Sequence, residues 1–105
     1  MIVDTYVSDA LSKVRKNIDE VDLQLMELLL KRFALAKKAA GEKPSEDSVY
    51  DPLREKQIVN SAIEYFKKND LGIETTFVKT VFENILAESR KQVEQEFIRL
   101  KGAKQ

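Results

Sequence analysis

The chain has 105 residues, and its 18 Lys+Arg against 18 Asp+Glu leave no formal net charge; it contains no Cys and no His. A neutral balance argues against duplex binding driven by phosphate neutralisation, and the missing residues exclude disulfides, thiolate chemistry, imidazole metal sites and the commonest general base at neutral pH. With 3 Gly, 2 Pro and 34% charged residues the sequence favours an all-α fold in a single domain, 1–105.

The first helix is predicted from about Ser8 to Lys43, capped by Ser8 or Asp4. Leu11, Val14, Ile18, Val21, Leu25 and Leu28 recur at alternating spacings of three and four, a coiled-coil-like seam rather than a broad globular face. The row continues through Arg32, Leu35 and Ala39, and Pro44 stops the helix because it disfavours α conformation in the residue before it. Such a helix is about 54 Å long, whereas a globule of this chain length is only ~26 Å across. A rod of that length needs a partner chain to bury its seam.

Residues 44–50 (PSEDSVY) read as a polar connector. Asp51-Pro52 then starts a second helix, with Asp as N-cap and Pro at the first helical position. Its apolar face is Ile58, Val59, Ala62, Ile63 and Phe66, and it ends around Lys68 before the break Asn69-Asp70-Leu71-Gly72. Thr75 or Thr76 is the expected cap of a third helix, whose stripe runs Val78, Val81, Phe82, Ile85, Leu86, Ser89, Val93, Phe97 and Leu100. No run of ~20 apolar residues predicts a membrane span. The start, with no basic stretch before an apolar core, carries no secretory pattern, so the expected compartment is the cytoplasm.

Several polar residues break these stripes. Arg32 sits on the seam, where an unpaired guanidinium is costly to bury; Arg15 flanks the seam, Arg54-Glu55 opens the second helix, and Ser89 interrupts the third stripe. Each has an ordinary explanation. Arg15 can pair with Asp19, Arg32 with a buried Glu, and Lys43 with the helix C-terminal dipole; Arg54-Glu55 can be solvated and Ser89 can bond to the carbonyl four residues earlier. Taken together they suggest an anion site. Arg32 and Lys43 are about 16 Å apart along the helix, within reach of one small anion, and Arg15 lies about 25 Å from Arg32. In an antiparallel pair of first helices, Arg15 of one chain comes opposite the Arg32 region of the other, giving two composite cationic pockets.

The segments VRKNIDEVDLQLMELLLKRFALAKKAAGEK, YDPLREKQIV and ILAES, with the combination R…IDxxD…LLxxR…K…YDPxRE, resemble the all-helical (AroQ) class of chorismate mutases. The resemblance covers nearly the whole chain. It implies three helices per chain, two long first helices intertwined in a homodimer with shared active sites, and conversion of the dianionic substrate chorismate to prephenate in phenylalanine and tyrosine biosynthesis. No cofactor and no metal are implied. By the same resemblance, Arg15 enters the partner's site and holds one substrate carboxylate, Arg32 binds the other, and Lys43 reaches the ether oxygen whose bond breaks. Arg54 borders the ring carboxylate, Glu55 with the backbone near Asp51 holds the 4-hydroxyl, and Ser89 adds a hydrogen bond to a carboxylate.

One position departs from the family pattern. Four residues after this serine the family usually has Gln or Glu, a second donor to the ether oxygen; here Val93 stands there, with Gln92 and Gln95 beside it. Losing such a donor costs roughly 3 kcal/mol of transition-state stabilisation, about a hundredfold in rate. Gln92, one turn from Ser89, is the expected substitute in a rotated or shifted helix. Four other readings stay open: rearrangement of 4-amino-4-deoxychorismate, an isochorismate pyruvate lyase, a weakly active or regulatory chorismate-binding domain docking on a shikimate-pathway enzyme, and a helical interaction protein without a small ligand.

Overall fold

The structure, a computed structural model, describes residues 8–42 and 50–103, which form three helices and no strand: α1 (Asp9–Gly41), α2 (Pro52–Lys68) and α3 (Thr75–Ala103). This is the expected all-helical class. Contacts divide the chain into two units, residues 1–32 and 33–105.

The first unit contains most of α1. Ser8 caps the helix, its Oγ accepting the backbone N–H of Leu11 at 3.1 Å; the alternative cap, Asp4, lies outside the described residues. Every described residue of this unit is exposed except the half-buried Leu29 and Arg32. The seam from Leu11 to Leu28 therefore lies open, its six side chains between 42% and 62% exposed.

In the second unit α2 packs on α3. Val78, Leu86, Ser89 and Val93 are the buried residues of α3, spaced eight, three and four along one helical face, and Ala40 near the end of α1 joins them in the core. The α2 face predicted from periodicity, Ile58, Val59, Ala62, Ile63 and Phe66, is half-buried throughout. The closing turns of α1 depart from the expected row. Leu35 and Ala39 are exposed, whereas Phe33, Ala36, Lys37 and Ala40, spaced three, one and three, are covered. The inward row here is one position round the helix from the seam. The helix also stops at Gly41, two residues before the expected end, with Glu42 in a turn whose N–H donates to Ala39 O at 3.1 Å.

The boundaries of α2 follow from local chemistry. The Asp51 side chain accepts the Arg54 N–H at 3.0 Å and Pro52 occupies the first helical position. At the other end, Asp70 N–H donates to Lys67 O and Leu71 N–H to Phe66 O, with Asp70 at φ 46°. This is the paired bonding of a Schellman terminus, with Asp70 where glycine is favoured. Gly72, at φ 70°, completes the reversal. The third helix starts one residue earlier than a Thr75 cap requires: Thr75 is already helical, and Glu74 O accepts the N–H of Val78 at 3.3 Å. Thr76 contributes its carbonyl to the Thr80 hydroxyl at 2.9 Å rather than a capping side chain.

Candidate active site between the second and third helices

A cavity of about 430 Å³ opens between α2 and α3, lined among others by Tyr50, Glu55, Lys56, Lys79, Glu83 and Arg90. Its polar groups are placed by the two helix faces. Glu55 stands in the first turn of α2, fixed by the Asp51 cap and Pro52. Arg90 is the residue after Ser89 on α3, so it borders the buried row rather than joining it.

Arg90 links three parts of the wall. Its Nε lies 3.1 Å from Oε2 of Glu55, and its guanidinium carbon sits 4.8 Å from the centroid of the Tyr50 ring. The buried Nε makes no aligned hydrogen bond, so the pair with Glu55 is held by charge and by the tyrosine face rather than by a directed N–H···O contact. The two side chains retain 41% and 20% exposure, so solvent screens the pair and its contribution to folding is small. Its value lies in geometry: the guanidinium plane and the carboxylate are both oriented at the cavity wall.

The residues singled out from the sequence fall into three groups. Asp51, Arg54, Glu55, Ser89, Gln92 and Val93 all belong to the second unit. There Glu55 lines the cavity, Arg54 is exposed, Ser89 and Val93 are 7% and 4% exposed one turn apart, and Gln92 is half-buried. Arg15 and Arg32 belong to the first unit, Arg15 exposed and without an ion pair among the described residues, Arg32 half-buried and engaged in an interaction. Lys43 lies outside the described residues. Among the described residues no cluster of carboxylates has metal-binding geometry.

Arg90 and Tyr50 were not anticipated as wall residues. Tyr50 was part of the quoted YDP motif without a role, and Arg90 pairs with a residue on another helix, which no local periodicity reveals. Farther along α3, Arg99 donates from Nη2 and Nε to the Glu96 carboxylate at 2.6 and 3.1 Å. That hydrogen bonding, reinforced by the nearby charges of Arg99 and Lys37, holds the Glu96 carboxyl below its ordinary value and raises the Arg99 guanidinium.

The sequence pattern of the family Chorismate mutase type II matches residues 14–94, a stretch that includes α2, the cavity wall and every candidate residue from Arg15 to Val93. No curated protein matches the chain.

Proposed function

The chain belongs to the chorismate mutase type II family, and from that premise we propose that it converts chorismate to prephenate in phenylalanine and tyrosine biosynthesis. It works in the cytoplasm as a homodimer, each chain being one mutase domain. The observation that carries the reading is the extent of the match, which takes in the seam arginines, the YDP start of α2 and the Ser89 turn together.

The rearrangement has one substrate and is pericyclic. A carbon–oxygen bond of the ether breaks as a carbon–carbon bond forms, within one molecule, with no nucleophile, redox step or obligatory proton transfer. Two things accelerate it: holding the substrate as a compact chair-like conformer, and stabilising the partial negative charge that grows on the ether oxygen. Arginine and lysine supply both, which accounts for an active chain with neither His nor Cys.

In this reading Arg32 and the Arg15 of a second copy clamp the two carboxylates, with Arg54 and Ser89 contributing to their binding, and Lys43 donates to the ether oxygen. Glu55, with the backbone at Asp51, accepts the 4-hydroxyl, and Gln92 supplies the donor that Val93 lacks. The exposed Leu11–Leu28 seam supports the two-chain arrangement, and the placement of Glu55 at the cavity wall supports its role. A second reading, a chorismate-binding regulatory domain that docks on a shikimate-pathway enzyme, is favoured by the buried apolar Val93.

The test is incubation of the purified chain with chorismate and, separately, with isochorismate, followed by chromatographic identification of products. Prephenate as the main product supports the mutase. Binding without turnover, with turnover restored by a partner enzyme, favours the regulatory reading. Salicylate and pyruvate from isochorismate would replace both with the lyase.

A further inference from the structure

The Glu55–Arg90 pair bears on which substituent the cavity accepts. A lone carboxylate at the cavity wall accepts a hydrogen bond from a hydroxyl, but it attracts an ammonium more strongly, because opposite charges add to the hydrogen bond. Glu55 is not alone. Arg90 lies 3.1 Å from it, is seated on the Tyr50 ring, and lines the same cavity. The pair is therefore close to neutral as a unit, and it presents a fixed positive charge beside its acceptor. Lys56 and Lys79 add two cations to the same wall, and Glu83 one further anion. A ligand hydroxyl can donate to the free lone pairs of Glu55 without electrostatic penalty. A ligand ammonium at the same place meets the guanidinium within a few ångströms, where like charges repel appreciably even at a partly solvated site.

We propose that Arg90 is a specificity-determining residue, which tunes Glu55 to receive a neutral hydroxyl and disfavours a substrate carrying an ammonium at that carbon. This rests on the reading of Glu55 as the acceptor of the substrate's 4-hydroxyl. It ranks the two candidate substrates: chorismate, with a hydroxyl, above 4-amino-4-deoxychorismate, whose amine is protonated at neutral pH. Arg90 acts through charge, so a lysine retains the preference although it loses the flat stacking surface.

The experiment compares chorismate and 4-amino-4-deoxychorismate on the wild-type chain, Arg90→Lys and Arg90→Met, by calorimetric binding and by kcat/KM. Arg90→Gln carries the same readout if Arg90→Met loses its helical circular dichroism. Expected is a wild-type preference for chorismate and a shift of the ratio toward the amino compound by at least about tenfold in Arg90→Met, with Arg90→Lys near wild type. If both ligands weaken together and the ratio holds, Arg90 is only a staple between α2 and α3 and the proposal fails. A wild-type preference for the amino compound also overturns it. Binding with the expected ratio but no turnover defeats the mutase reading while leaving Arg90 its role; binding of neither ligand defeats both.

Discussion

Replacing Val93 by glutamine tests the most consequential departure in the chain. Val93 is 4% exposed and shares one face of α3 with Ser89 and Leu86. A glutamine there places an amide in a row that now holds one hydroxyl and two apolar side chains. In the unliganded protein the amide is short of partners, which costs about 1–3 kcal/mol. For a domain of this size each kcal/mol moves the melting midpoint by about 4–8 °C, so a drop on the order of 10 °C is expected. With substrate bound, the same amide becomes a donor to the ether oxygen. Such donors contribute about 3 kcal/mol in the transition state, roughly a hundredfold in kcat. Because Gln92 fills that role in the proposed site, the gain is read in a Gln92→Ala background, where Val93→Gln should restore the rate that Gln92→Ala loses. The assay pairs a thermal melt with initial rates of prephenate formation, and Val93→Leu serves as the apolar control with no rate gain. A Gln92→Ala, Val93→Gln chain that melts lower than Gln92→Ala yet turns over no faster would refute the placement of the ether oxygen beside this position.

The remaining predictions concern the turn, the acid response and the shared site. Asp70→Gly relieves a left-handed residue and should stabilise the chain by about 0.5–1 kcal/mol, read as a higher denaturant midpoint at unchanged slope; an unchanged or lower midpoint contradicts the strain argument. Glu96 has a folded pKa below its ordinary 4.5, so its contribution is complete above that value and disappears as pH falls through the lower folded value. Glu96→Gln should therefore melt below wild type at pH 7, the gap closing in strong acid and shrinking in high salt; a gap constant from pH 7 to pH 2 removes the titration account. Arg15→Ala and Arg32→Ala chains should each be nearly inactive, and mixing them should recover activity through one intact site per heterodimer. Exchanged dimers that stay dead rule out the shared site.

The helices were legible because their signals are local. Pro44, Asp51-Pro52 and Gly72 punctuate the chain, and the stripes of α2 and α3 repeat at helical spacing, so Val78, Leu86, Ser89 and Val93 were nameable before their burial was known. The last turns of α1 were less legible. Leu35 and Ala39 continue the seam by spacing, yet Phe33, Ala36, Lys37 and Ala40 are the covered residues, because a row of Phe, Ala and a lysine stem offers apolar surface on the adjoining face as well. Spacing alone does not distinguish the two faces. Glu55 was identifiable from the resemblance, whereas its partner was not: a salt bridge between helices depends on how α2 meets α3, and neither segment encodes that alone. The cap of α3 was misplaced by one residue because Thr75 and Thr76 both have cap chemistry, and the carbonyl of Glu74 is used instead.

The open seam of α1 also has a consequence for how the protein behaves at dilution. If a second copy covers Leu11 to Leu28, folding of that segment and pairing of the chains are coupled by mass action. Stability then depends on how much protein is present: the melting midpoint rises with concentration, and specific activity falls on dilution below the dissociation constant. Expression level thereby sets the fraction of chains able to work.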